Sequence, residues 1–309
     1  MLLFLTAVIW GIAFVFQAVG AEFVSPLTFL ACRSWIACIA LIPVILWRRR
    51  KDKAQDEAVD PERTKSVSEK PDARPRLFSR PLLLGSLCCG AFLFLASFSQ
   101  QAGIAYTTAG KAGFITALYV VLVPVISILF GKKQPLFIWI SVVLGVTGLY
   151  LLSIKGGFEL GLGDGLMVLC ALLFSFQILS VNHFVAKVDG VMLACGEFFV
   201  EAAMATVGMC IFENVTVEGL KSALPAILYA GLFSSGVGYT LQIIAQSKVE
   251  PTVASLIMCL ESVFSALAGW IYLHESMTVR EFIGAALMFA AVVLSQLPHR
   301  IIRDVAHSK

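Results

Sequence analysis

The chain has 309 residues, of which 59% are apolar and only 14% charged, against about 25% charged in a soluble domain. With a mean hydropathy of +0.88, a water-exposed fold would show too much apolar surface to stay dispersed. Aqueous enzymes, disordered scaffolds and nucleic-acid binders are set aside on that ground.

Apolar runs follow at about 2–21, 27–47, 81–101, 109–131, 135–153, 163–183, 191–213, 223–245, 252–273 and 279–297. Each is long enough to cross a bilayer, which takes about 20 residues as a helix. In lipid the backbone must satisfy its own hydrogen bonds, so helices are the expected form. The first run lacks a charged leader and reads as a retained span, not a cleaved signal. A basic residue usually precedes such a span, so the native start is not fixed at Met1. The eight cysteines all lie inside apolar runs. They read as small core hydrophobes, with no disulfide framework, metal site or cofactor expected.

Basic residues set the orientation. With the N-terminus cytoplasmic, 18 of the 23 Lys and Arg fall in inner segments and 3 in outer loops. Arg33 and Lys111 lie within spans. Both termini are therefore expected on the cytoplasmic side of the plasma membrane. Residues 48–80 carry Arg48-Arg49-Arg50-Lys51, mixed charges and three prolines, with almost nothing apolar. This segment reads as a disordered cytoplasmic linker whose arginines anchor topology or touch anionic lipid headgroups.

The two halves repeat. Ala112-Gly113-Phe114-Ile115 in the fourth span matches Ala254-Ser255-Leu256-Ile257 in the ninth at an offset of 142 residues, which also superposes Gln100 on Gln242. Ala7 to Gly11 matches Ala171 to Ser175 in the same manner. Leu144 to Leu149 matches the stretch around Ile283-Gly284-Ala285. Five spans per half is an odd number, so the second half must insert upside down. Inverted repeats place a substrate site near midplane at their interface. The expectation is an all-α integral membrane protein: ten transmembrane helices as two inverted five-helix repeats around a central cavity. The first repeat spans 1–153, the second 163–297, with a cytoplasmic tail at 298–309.

Trp10-Gly11, Pro26 to Arg33, Pro124, and His274-Glu275 followed by Ile283-Gly284-Ala285, taken in order with the duplication, resemble the EamA-type branch of the drug/metabolite transporter superfamily. That resemblance implies a ten-helix transporter of small organic metabolites, often amino acids, commonly moved outward. One departure stands out. The first half has Lys132-Lys133 where the second has His274-Glu275.

There is no phosphate-binding loop and no hydrolytic motif. Transport would be facilitated or driven by a gradient, with a coupling proton or an exchanged metabolite. Ionisable groups inside spans cost about 2.5–3.5 kcal/mol each and so become functional candidates. Arg33 suits a carboxylate bidentately, or snorkels, or pairs helices. Lys111 is a cationic anchor or snorkels outward. Glu197 and Glu201 share one face of the seventh span, which is unfavourable unless one is protonated or paired; Glu201 is the deeper. Glu261, mid-span, is a proton relay, an amine contact, or a partner of Arg33 or Lys111. Gln17, Gln100, Gln177 and Gln242, with Asn182, act as interhelical glue or line the cavity. Tyr119 and Tyr239 offer a hydroxyl and a ring face. Trp10, Phe94 and Phe98 form an aromatic wall or plain core. Pro124 is a candidate kink. The competing functions are an intramembrane lipid-modifying enzyme, which needs clustered acid, base and nucleophile, and a lipid scramblase, which needs no solute pocket.

Overall fold

The computed structural model describes residues 1–58, 79–106, 109–153, 161–272 and 278–307; for 52–58, 109–111, 153, 269, 272 and 296–307 it describes the backbone alone. All regular structure among them is helical. Ten helical segments follow the ten apolar runs: α1 (Leu2–Ala21), α2 (Pro26–Ala58), α3 (Arg80–Ile104), α4 (Ala109–Thr116 and Tyr119–Leu129), α5 (Leu136–Ser153), α6 (Leu162–Val185), α7 (Gly190–Phe212), α8 (Val217–Gln246), α9 (Pro251–Met258 and Glu261–Tyr272) and α10 (Val279–His307). Large apolar side chains such as Leu83, Leu84 and Leu87 on α3 and Ile211 and Phe212 on α7 are exposed, forming the lipid-facing surface such a bundle needs.

One expectation changes. Residues 48–58 continue α2 as helix. Arg, Lys, Gln, Glu and Ala are strong helix formers, and α2 is already nucleated when it reaches them; 59–78 lie outside the described residues. The terminal segment is also helix as far as His307.

The packing obeys an exchange of the halves. α2 lies on α7, α4 on α9 and α5 on α10, each helix against its own counterpart. The other main contacts come in swapped pairs: α3 on α6 as α8 on α1, α3 on α7 as α8 on α2, α6 on α4 as α1 on α9. That pattern is a pseudo-two-fold relation between two inverted five-helix repeats.

The α2–α7 pair is clasped at both ends. Glu213, closing α7, accepts from the Leu27 and Thr28 amides at 2.8 and 2.7 Å. It thereby satisfies orphan donors at the start of α2. At the opposite end Arg48 of α2 sits 3.4 Å from Asp189, which caps α7.

Glycines set the closest crossings. A Cβ on Gly148 of α5 would lie 2.5 Å from the Gly284 carbonyl, and one on Gly284 of α10 would lie 2.5 Å from the Gly148 carbonyl. Membrane helices associate through such small-residue contacts. Gly148→Val should push α5 off α10, cost at least the roughly 1–3 kcal/mol of overpacking, and lower the melting temperature in detergent. Unchanged melting would refute this contact.

Candidate functional site

α4 and α9 are interrupted at equivalent points. The second pieces begin at Tyr119 and Glu261, 142 residues apart, the same offset that relates Gln100 to Gln242. At each break the backbone bonds tighten from i−4 to i−3, with Leu118 N to Ile115 O at 3.2 Å and Ser262 N to Cys259 O at 3.2 Å. The interruption lies upstream of Pro124, which is carried inside the second piece of α4. Neighbouring helices let a membrane helix absorb a proline's lost N–H. The two first residues meet, the Tyr119 hydroxyl donating to Glu261 Oε1 at 3.0 Å.

Discontinuous helices at a repeat interface are how secondary transporters build a binding site, and a cavity lies here. Seven lining residues come from each half: Trp10, Phe14, Gln17, Arg33, Gln100, Thr116 and Tyr119 from the first, Phe174, Gln177, Ile178, Ser234, Tyr239, Gln242 and Glu261 from the second. About 460 Å³ of space separates these side chains, of which about 30 Å³ is open to the centre of a water molecule. At roughly 10–15 Å³ per water, that is room for two or three waters. A wider hollow, with about 320 Å³ open to water, lies where α1 ends and is reached by Gln101. Gln101 donates to the Gln17 carbonyl at 3.1 Å, so it stands between the two spaces.

Nine of the twelve expected residues line the cavity: Trp10, Gln17, Arg33, Gln100, Tyr119, Gln177, Tyr239, Gln242 and Glu261. Phe98 does not. It stacks with Phe94 at 6.2 Å and packs on the cluster around Phe29 and Leu30, because its face of α3 meets α2. The aromatic facing Trp10 is Tyr239 instead, 4.6 Å away. Glu201 does not line the cavity either, and the side chain of Lys111 lies outside the described residues, as do His274 and Glu275.

Glu201 is the partner of Arg33. Arg33 Nη2 donates to Glu201 Oε1 at 3.0 Å and to Ser97 Oγ at 2.8 Å, and Ser34 Oγ donates to Glu201 Oε2 at 2.8 Å. Of the readings open for Glu261, the pair with Arg33 is therefore ruled out. Glu201 lies on α7, packed directly on α2, whereas Glu261 on α9 is claimed by Tyr119. Arg33 keeps a side facing the cavity, and its Nε has no hydrogen-bond partner. Glu261 has no basic partner among the described residues.

α8 adds a device the apolar pattern does not announce. Its middle, Tyr229–Tyr239, is a π-helix, a form that clusters at functional sites. α1 grips it: the Trp10 indole donates to the Ser234 carbonyl and the Thr6 hydroxyl to the Gly238 carbonyl, both at 3.2 Å. Phe14, Phe174 and Ile178 were open to detection. The match of Ala7–Gly11 to Ala171–Ser175 is an offset of 164, which sets Trp10 against Phe174 and Phe14 against Ile178. Thr116 and Ser234 carry no sequence signal, since helix breaks and π turns position them.

The EamA-like transporter family model matches the chain twice, over residues 1–154 and 161–297. An uncharacterized transporter of Archaeoglobus fulgidus is 29% identical over 298 residues, covering 95% of this chain and 84% of its own. The uncharacterized transporter YoaV of Bacillus subtilis is 22% identical over 294 residues, 93% of this chain and 92% of its own. The threonine/homoserine exporter RhtA of Escherichia coli is 27% identical over 187 residues, 57% of this chain and 60% of its own. A solved crystal structure at 18% identity covers 97% of both chains with a TM-score of 0.73 and shares the fold. With two family matches, one in each half, on a ten-helix membrane bundle, the chain belongs to the EamA-like transporter family.

Proposed function

We propose that this protein moves a small zwitterion of the amino-acid class across the plasma membrane by alternating access, outward from the cytoplasm. The observation that carries this reading is the cavity itself. It is shared by both repeats and bears the Arg33 guanidinium on one wall and the Glu261 carboxylate on another. A guanidinium with unused donors suits a carboxylate; a carboxylate without a basic neighbour among the described residues suits an ammonium. The amino-acid class also draws on the similarity to RhtA, and the sidedness on the basic-residue distribution. Each repeat, 1–153 and 163–297, is taken as one rocking unit, with both termini in the cytoplasm. The cavity is too narrow here for an amino acid, so binding requires the halves to part on one side.

Purified protein in liposomes tests the reading. L-threonine and L-homoserine are the first probes, followed by a wider metabolite panel. Saturable uptake stimulated by the same solute on the opposite side is expected. A bound ligand at about 100 times its Kd should also stabilise the protein by about 2.7 kcal/mol in a melting assay. Product formation without flux would replace the reading with an enzyme, and lipid redistribution without solute flux with a scramblase.

A further inference from the structure

Glu197, one turn before Glu201 on α7, is not used by the transport reading. It is fully buried. Its Oε1 has no hydrogen-bond partner, and its Oε2 receives a single bond, from Gln177 Nε2 at 3.3 Å. Glu201, by contrast, has both oxygens engaged. The offset of 164 that relates Trp10 to Phe174 also carries Arg33 onto Glu197. Where the first half places a cation, the second places an acid, and the ion pair of that cation is with Glu201 instead.

A buried carboxylate must be neutralised by a cation, a metal or a proton. The ionisable groups around Glu197 are Glu201 on its own helix, Cys89 on α3 and Tyr239 on α8, and α2, packed on α7, turns Arg33 and Cys38 toward Glu201 and Cys195. Of these only Arg33 is cationic, and it is paired; Cys38 lies against Cys195 at 3.8 Å. α6 offers only the Gln177 amide. No group of three His, Cys, Asp or Glu suited to a metal occurs among the described residues. That leaves the proton.

We propose that Glu197 is a proton-binding site, set behind the cavity wall and linked to the solute site through Gln177 and Gln242. One proton from water adds to the free Oε1 and takes the group from charged to neutral. Gln177 lines the cavity and donates to Glu197, while its Oε1 accepts from Gln242 Nε2 at 3.4 Å; the same Nε2 reaches Gln246 Oε1 at 3.1 Å. Gln246 ends α8 beside the exposed Ser247, so the amide chain runs from the buried acid past the solute to one face of the bundle. A solute contacting Gln177 is one hydrogen bond from the charge on Glu197.

The coupling part rests on the transport reading; the proton site does not. Infrared difference spectra of reconstituted protein across a pH titration should contain a carboxyl C=O band that grows as pH falls. That band should vanish in Glu197→Gln, which mimics the neutral form, and shift in Glu197→Asp. A Glu197→Gln spectrum identical to wild type, or a band that never changes with pH, overturns the proposal. In flux assays with L-threonine as probe, a tenfold proton gradient should change wild-type flux, and the ratio with and without the gradient should fall to one in Glu197→Gln. A preserved ratio overturns the coupling. A titrating Glu197 in a protein without solute flux would instead sink the transport reading and leave the proton site standing.

Discussion

Replacing Arg33 with methionine is expected to destabilise the protein by about 3–5 kcal/mol, the usual cost of leaving a buried charge without its partner. Glu201 is 0% exposed and Arg33 2%, so the pair lies away from bulk water. The loss should be repaired by a second change. Arg33→Met with Glu201→Leu removes both charges, and apolar replacement of a buried ion pair is often neutral or better. Denaturant unfolding in detergent checks both variants. A single variant as stable as wild type, or a double variant no better than the single, would mean that the 3.0 Å pair contributes nothing to holding α2 on α7.

Glu261→Gln is expected to weaken solute binding about ten- to hundredfold. The lost interaction is a hydrogen bond to a charged group, worth about 1.5–3 kcal/mol, and about 1.4 kcal/mol is a factor of ten. Tyr119→Phe keeps the carboxylate but removes the donor that orients it. Its cost should be smaller, about 1 kcal/mol or roughly fivefold. Equilibrium binding to purified protein, using whichever solute the liposome screen selects, gives both values. Wild-type affinity in Glu261→Gln would remove the ammonium contact from the account.

The membrane fold was legible because lipid enforces a simple rule. Every crossing must be a long apolar helix, and an odd number of crossings inverts the copy. The same duplication found the Gln100–Gln242 relation by arithmetic alone; the same offset carries Tyr119 onto Glu261, but only the helix breaks single out that pair. The partner of Arg33 was not legible. Arg33, Glu201 and Glu261 sit on three different helices, and only the packing of α2 on α7 decides between the two acids. Pairing of one of the two acids of α7 with a basic side chain was legible from their shared face, but depth alone did not tell that Glu201 is held by Arg33 while Glu197 Oε1 is left without a partner. The breaks in α4 and α9 and the π turn in α8 leave no mark in an apolar pattern. They follow from polar groups at the repeat interface, where irregular backbone is tolerated because it lines a cavity.

Gln100 and Gln242 stand four residues from the ends of α3 and α8, helices that run in opposite directions through the membrane, so they mark opposite ends of one cavity. In a background without the native cysteines, each is replaced by cysteine and challenged with a membrane-impermeant thiol reagent from either side. The account predicts that position 100 reacts from one side and position 242 from the other. Transported solute should raise one reactivity while lowering the other. Reaction of both positions from the same side, or reactivities that rise and fall together, would contradict two inverted halves opening a shared cavity in turn.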